Sequence, residues 1–209
     1  MWSSSARAPS PASACPWCSS PAASRRAVSR GSNLSRESQL VELVTPDGAA
    51  DGSATVDAAH RAPGRLHRAF SVLLVAPDGR ILLQQRAAAK TRFALRWANA
   101  CCGHPGPGEP VATAAARRLS EELGVSAPPL REVGVYLYQA DDPDSGRVEF
   151  EFDHVLVGPY DGDVRADPAE VAEVEWVYPD ELADRLKRFP DFYAPWLAGV
   201  LDAWRSAAA

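Results

Sequence analysis

The sequence predicts an α+β domain that follows a disordered N-terminal extension, and three stretches carry that prediction. Arg68–Val75 and Arg80–Arg86 are β-rich runs flanking Pro77-Asp78-Gly79, the pattern of a β-hairpin. Val148–Val155 alternates strictly, with Glu149, Glu151 and Asp153 on one face and Phe150, Phe152 and His154 on the other. Between them, Val111–Leu123 spaces Ala112, Ala115, Ala116, Leu119 and Leu123 as a helix does, and Gly124 stands where a C-terminal cap belongs.

Taken in order, residues 1–36 are rich in Ser, Ala, Pro and Arg and too poor in apolar groups to offset the entropy of ordering. They are expected to be a disordered extension, with residues 37–209 forming the domain. The Arg-rich, acid-poor composition resembles a transit peptide. The whole chain nevertheless favours Ala and Arg, with lysine only at 90 and 187, so genome composition explains it equally well. Cys15-x-x-Cys18 has no second pair and no βαβ context, and no role is assigned to it. Gln39–Val44 and Pro46-Asp47-Gly48 read as a strand and a turn. Residues 87–98 read as a loop anchored by Trp97. Beyond the helix, Arg131–Gln139 is expected to be a strand, Asp141–Gly146 a turn, Glu173–Val177 a strand, and Pro179–Lys187 and Ala194–Ser206 helices.

Composition narrows the functional classes. The formal charge is −5, and because the first 36 residues hold five arginines and no acid, residues 37–209 stand at −10. That balance argues against nucleic-acid binding. Any anionic substrate must be drawn in by a local cluster of metal and basic side chains. No apolar run approaches the roughly 20 residues of a membrane span. Adjacent Cys101 and Cys102 make a disulfide framework a poor reading and favour a reduced, cytoplasmic setting. A monomer is expected, with a dimer as the alternative.

The chemistry-bearing residues concentrate between Asn99 and Val125, where a thiol, an imidazole, a glycine-punctuated loop and paired carboxylates lie beside two arginines. His60 and His67 are separated by a Pro-Gly kink and so cannot be two ligands on one helical face. Together with His104 and the same-face pair Glu149 and Glu151 they make a candidate nitrogen-and-oxygen site for a divalent ion. His154 is expected to be a core-facing strand residue.

The spacing of Gly103, Glu109, Arg117, Leu119, Glu121, Glu122, Gly124 and Val125 resembles the Nudix box, the metal-holding loop–helix–loop of Nudix proteins. Arg117 and Glu121 are i,i+4 and can brace each other. The resemblance implies a Nudix fold, a mixed β-sheet sandwiched by helices. One departure separates functions: a Nudix hydrolase has a glutamate directly after the box arginine, and here that residue is Arg118. This departure and Asn99-Ala100-Cys101-Cys102-Gly103-His104-Pro105 resemble the type I isopentenyl-diphosphate isomerases of the Nudix superfamily. So do Arg65–Ser71, the spacing of Arg86, Lys90 and Trp97, the Glu149–Glu151 pair and Ala194-Pro195-Trp196. The likeness runs from about Leu40 to the C-terminus.

Carried over position by position, the resemblance implies that His60, His67, His104, Glu149 and Glu151 bind one divalent metal, Mn2+ or Mg2+, with Zn2+ as a further candidate. It implies that Glu122 helps hold a second ion, Mg2+, bridging to a diphosphate that Arg86, Lys90 and Arg118 neutralise. Cys102 and Glu151 would face each other across the substrate double bond, Tyr138 would protonate or polarise the site, and Trp196 would offer a π face to a carbocation. Cys102 is preferred to Cys101 by the Cys-Gly-His spacing. The expected substrate is a small allylic or homoallylic diphosphate. The alternatives are a Nudix diphosphohydrolase, disfavoured by Arg118, and a catalytically inactive Nudix-fold binding module. The latter is favoured only by Val56, where the family usually has a diphosphate-contacting lysine four residues before the first metal histidine.

Overall fold

The computed structural model describes residues 36–208. The expected disorder of the extension and the Cys15-x-x-Cys18 motif lie outside the described residues. Arg36, the last residue of that stretch, is described and is seated against the domain through an ion pair with Glu170 at 2.7 Å.

Nine strands form one mixed sheet: β1 (Leu40–Val44), β2 (Ala50–Thr55), β3 (His67–Val75), β4 (Ile81–Arg86), β5 (Trp97–Asn99), β6 (Cys101–Gly103), β7 (Arg131–Asp142), β8 (Arg147–Pro159) and β9 (Val171–Val177). The helices are α1 (Val56–Ala59), α2 (Val111–Leu123), α3 (Pro179–Arg188) and α4 (Leu197–Ala208). β3 is the hub, pairing antiparallel with β1, β4 and β6 and parallel with β8. Its side chains alternate between two cores. Leu73 packs with Leu182 of α3 and Leu197, Val200 and Leu201 of α4, while Phe70, Val72 and Leu74 pack with Ala114, Ala115, Leu119 and Leu123 of α2. Each such buried leucine contributes about 1.5–3 kcal/mol relative to exposure, which is what holds helices on both faces of the sheet. The expected sandwich is therefore present. Among the described residues no helix is long and apolar enough to cross a membrane.

The local chemistry matches most expected elements. Gly124 caps α2 in the left-handed conformation (φ 62°), and its N–H bonds to the Ser120 carbonyl at 3.1 Å. Three differences have physical causes. The buried stripe of α2 runs through Ala114, Ala115, Arg118, Leu119, Glu122 and Leu123, leaving Ala112 exposed, because the helix covers a polar cleft as well as a core. The C-terminal helix begins at Leu197, not Ala194, since Pro195 disfavours helical backbone at the residue before it. On β8 the buried face is the acidic one, and Phe150, Phe152 and His154 are half-buried. His154 is thus not core-facing; it lies beside the Arg68 guanidinium (2.9 Å) and the Glu132 carboxylate (3.0 Å).

Candidate active site

The fold gathers the five expected metal ligands from four places in the chain. Parallel pairing sets His67 of β3 directly beside Glu151 of β8, and the period of two puts Glu149 on the same side. His60 ends α1, and the chain reverses through Pro63-Gly64 to bring it back to His67. Gly64 has φ 85°, and a Cβ there would stand 2.9 Å from Val148 Cγ1, so a side chain is excluded on both counts. His104 follows β6, which pairs with β3. The three imidazole centroids are 4.6, 4.8 and 5.1 Å apart, and one ligand atom from each of the five residues lies within 4.8 Å of all the others.

This donor set fits a cation. Nδ1 of His60 and of His67 each lies 2.7 Å from a backbone carbonyl, of Val56 and Arg65, to which it can only donate. In the neutral rings the Nε2 lone pairs therefore point inward. There His60 Nε2 meets Glu149 Oε2 at 2.8 Å and His104 Nε2 meets Glu151 Oε1 at 2.8 Å. His67 Nε2 is buried with no hydrogen-bond partner among the described residues. Lone pairs facing carboxylates repel unless a proton or a metal lies between them. Burial, outweighing the attraction of Glu151, pulls His104 down to about 4, so its ring is neutral at pH 7 and a single N–H can serve Glu151, whereas the His60 and His67 lone pairs have no such relief. Burial and the neighbouring Glu149 would raise Glu151, but the hydrogen bond from His104 at 2.8 Å, with the His67 imidazole nearby, prevails and holds it at about 2.

The Cys102 thiol lines the same open cleft as Glu149 and Glu151, with Tyr138 and Trp196. Burial, reinforced by the negative charge of Asp153, pushes the Cys102 thiol up to about 12, so it carries its proton at neutral pH. Across the ladder the Tyr138 hydroxyl donates to Glu151 Oε2 at 2.6 Å, set by the Tyr138–Glu151 register of β7 and β8. Cys101, by contrast, is fully buried under α2 with its sulfur 3.7 Å from Glu122 Oε2. Asn99 holds the constellation together. Its Oδ1 accepts from the Cys102 thiol and from Trp196 Nε1, both at 3.1 Å, while its Nδ2 donates to the carbonyls of Val72 and Cys101. One buried amide with every bond used thus orients both the thiol and the indole.

At the other end of the cleft, basic side chains gather around two buried acids. Glu122 Oε1 takes Arg118 and Lys90 (3.1 Å), and its Oε2 takes Gln84 (3.1 Å). Burial would raise Glu122, yet Lys90 and Arg118 bring it to about 2. Glu170 pairs with Lys90 and Arg36 and lies 3.6 Å from Arg118. Arg86 also lines the cleft, with its guanidinium bonded to the Arg92 carbonyl at 2.9 and 3.2 Å and stacked 5.5 Å from the Trp196 ring centre. Arg117 and Glu121 stand 3.6 Å apart on the outside of α2, the expected brace.

Several site residues escaped the sequence reading. Arg92 binds Glu149 Oε1 at 3.0 Å and also Glu37. Asp153 continues the acidic row of β8, accepts from Ser71 at 2.8 Å, and through burial and the charge of Glu151 titrates well above the carboxylate range. Asp153 was grouped with its neighbours by alternation, and Asn99 lay in the stretch already singled out. Glu170, Arg36 and Arg92 carried no local signal.

Residues 65–200 match the NUDIX domain family. The chain is 58% identical over 172 residues to the isopentenyl-diphosphate Delta-isomerase of Nocardia farcinica, covering 80% of this chain and 98% of that protein. It is 48% identical over 181 residues to the isopentenyl-diphosphate Delta-isomerase of Streptomyces coelicolor, covering 87% and 91%. Among solved structures, a Deinococcus radiodurans protein superposes with a TM-score of 0.65 at 21% identity over 78% of this chain and 98% of its own, a likeness of fold. On its domain match and these relatives, the chain belongs to the Nudix superfamily and, within it, to the type I isopentenyl-diphosphate Delta-isomerases.

Proposed function

We infer that the protein interconverts isopentenyl and dimethylallyl diphosphates by adding a proton to the terminal carbon of the double bond and removing one from the carbon nearer the diphosphate, through a tertiary carbocation. The observation that carries this reading is the pairing, in one cleft, of a protonated thiol at Cys102 with an ionised carboxylate at Glu151 that accepts a hydrogen bond from the Tyr138 hydroxyl. The reaction needs one acid and one base and no net proton. Cys102 Sγ holds a proton for the double bond, and the Tyr138–Glu151 pair takes or returns one at the other carbon. Trp196, its indole N–H pinned by Asn99, presents a π face worth about 0.5–2 kcal/mol to the positive intermediate.

His60, His67, His104, Glu149 and Glu151 would hold one divalent ion, Mn2+ or Mg2+ by the carboxylates, with Zn2+ as the candidate the imidazoles favour. Such an ion supplies charge that keeps both glutamates ionised in a buried site. Glu122 would hold a second ion, Mg2+, at the diphosphate. Its oxygens are taken by Lys90, Arg118 and Gln84, so this fits only together with a diphosphate that draws the two cations away. Arg86, Lys90 and Arg118 then neutralise the substrate. Every one of these groups comes from one chain, so a monomer suffices, and the free thiols Cys101 and Cys102 suit a reducing cytoplasm.

The test is incubation with isopentenyl diphosphate and Mg2+ in deuterated water. Deuterated dimethylallyl diphosphate is the expected product. Phosphate release from nucleoside diphosphate derivatives would instead make it a hydrolase, and binding with neither product an inactive module. Within the same assay, Asn99→Ala is expected to lower kcat about tenfold to a hundredfold with KM little changed, because it loosens thiol and indole together without touching the diphosphate end.

A further inference from the structure

We propose that Arg36 is a diphosphate-binding residue of this cleft, supplying from the segment just before β1 the cation that Val56 cannot. The assignment rests on the isomerase reading above. Arg36 and Val56 line the same cleft as Lys90 and Arg118. A short backbone relay ties their positions: the Gln39 N–H donates to the Arg36 carbonyl at 3.0 Å, and the Val56 N–H donates to the Gln39 carbonyl at 2.8 Å. The next residue, Leu40, pairs with Thr55 across β1 and β2. Arg36 is therefore carried to the wall on which Val56, apolar and 6% exposed, opens α1.

The ion pairing there leaves Arg36 the least engaged of the cations. Two buried acids, Glu122 and Glu170, face three cations, Arg36, Lys90 and Arg118. Glu170 is already paired with Lys90, so neutralising it does not require Arg36, and the third acid, Glu121, half-exposed, is held by Arg118 at 2.6 Å. Arg36 is also the most exposed of the three, with 27% of its side chain accessible against 12% and 10%. Its one close ion pair, Nη1 to Glu170, contrasts with contacts of 3.8 and 3.9 Å to Glu121 and Glu122. A guanidinium has five donors in a planar fork, and Arg36, with only Nη1 closely paired and a quarter of its side chain exposed in the cleft lining, keeps donors suited to bridging phosphate oxygens.

The experiment uses the full chain with Mg2+, measuring KM for isopentenyl diphosphate and the inhibition constant and calorimetric Kd of inorganic diphosphate. Arg36→Ala is expected to raise all three about tenfold to a hundredfold while kcat changes less than about threefold. Arg36→Lys should recover part of the loss. Val56→Lys in the Arg36→Ala background should recover affinity from the neighbouring position, which a mere brace for Glu170 would not. Unchanged constants in Arg36→Ala overturn the proposal. So does a loss accompanied by a lowered melting temperature that Val56→Lys leaves unrepaired, the behaviour of a structural ion pair. A wild-type chain with no isomerase activity would overturn the proposed function instead. The calorimetric Kd would still decide Arg36 in that case, an equal Kd in wild type and Arg36→Ala counting against it.

Discussion

Cys102→Ala is expected to lower kcat by about a hundredfold to ten-thousandfold, the range that loss of a positioned proton donor costs, while Cys101→Ala keeps most of the activity. The two sulfurs are one residue apart and chemically identical, so the contrast isolates placement. Strand alternation turns one thiol into the cleft and the other under α2. Cys102 is poised as an acid: burial and the Asp153 charge hold its thiol at about 12, and its S–H is aimed by Asn99 Oδ1. Burial drives Cys101 well above its ordinary range too, but no substrate can reach it. Its truncation should appear as a stability change of about 1–2 kcal/mol from a small cavity, read from the denaturation midpoint. Full activity in Cys102→Ala, with loss in Cys101→Ala, would show that the other thiol moves the proton.

What the sequence made legible was periodic or punctuated. The helix ending at Gly124, the hairpin turn at Pro77-Asp78-Gly79 and the alternation of Val148–Val155 each announce themselves within a dozen residues, and the fold uses all three. β2 did not, because Ala50-Asp51-Gly52-Ser53-Ala54-Thr55 has the composition of a loop. It is a strand only because β1 offers it a register from Leu40–Thr55 to Val44–Ala50. β5 and β6 are three residues each, too short for any period to show, and exist by pairing with β4 and β3. Alternation also told which residues of β8 share a face without telling which face is buried. Phe150 and Phe152 looked like the core, but partners such as His60, His67, His104 and Arg92 let the acidic row go inside. The grouping of His60, His67, His104, Glu149 and Glu151 and the placement of Cys102 in the cleft were legible through family resemblance. The bonding role of Asn99, and Glu170 altogether, were not, since their partners, Trp196 and Arg36, lie about a hundred residues away or more in the chain.

Glu151→Gln should be the most damaging change on the carboxylate side, lowering kcat by about a thousandfold or more, whereas Glu149→Gln should act through the metal. Both glutamates belong to the five-residue group, so a measurement of activity alone would not separate them. Their partners do. Glu149 is committed to His60 at 2.8 Å and Arg92 at 3.0 Å and has no proton donor of its own facing the substrate. Its amide variant should weaken metal binding about tenfold to a hundredfold, with activity returning as the metal concentration is raised. Glu151 divides its oxygens, Oε1 toward His104 and His67 and Oε2 toward the Tyr138 hydroxyl. An amide can still occupy that space, but it cannot take a proton at Oε2, so excess metal should restore occupancy without restoring turnover. Metal content by elemental analysis and kcat across a metal titration check both halves. If excess metal rescued Glu151→Gln fully, Glu151 would be a ligand only, and the base would have to be sought elsewhere than at Tyr138, whose phenol burial and the adjacent Glu151 charge hold well above its ordinary range and so protonated.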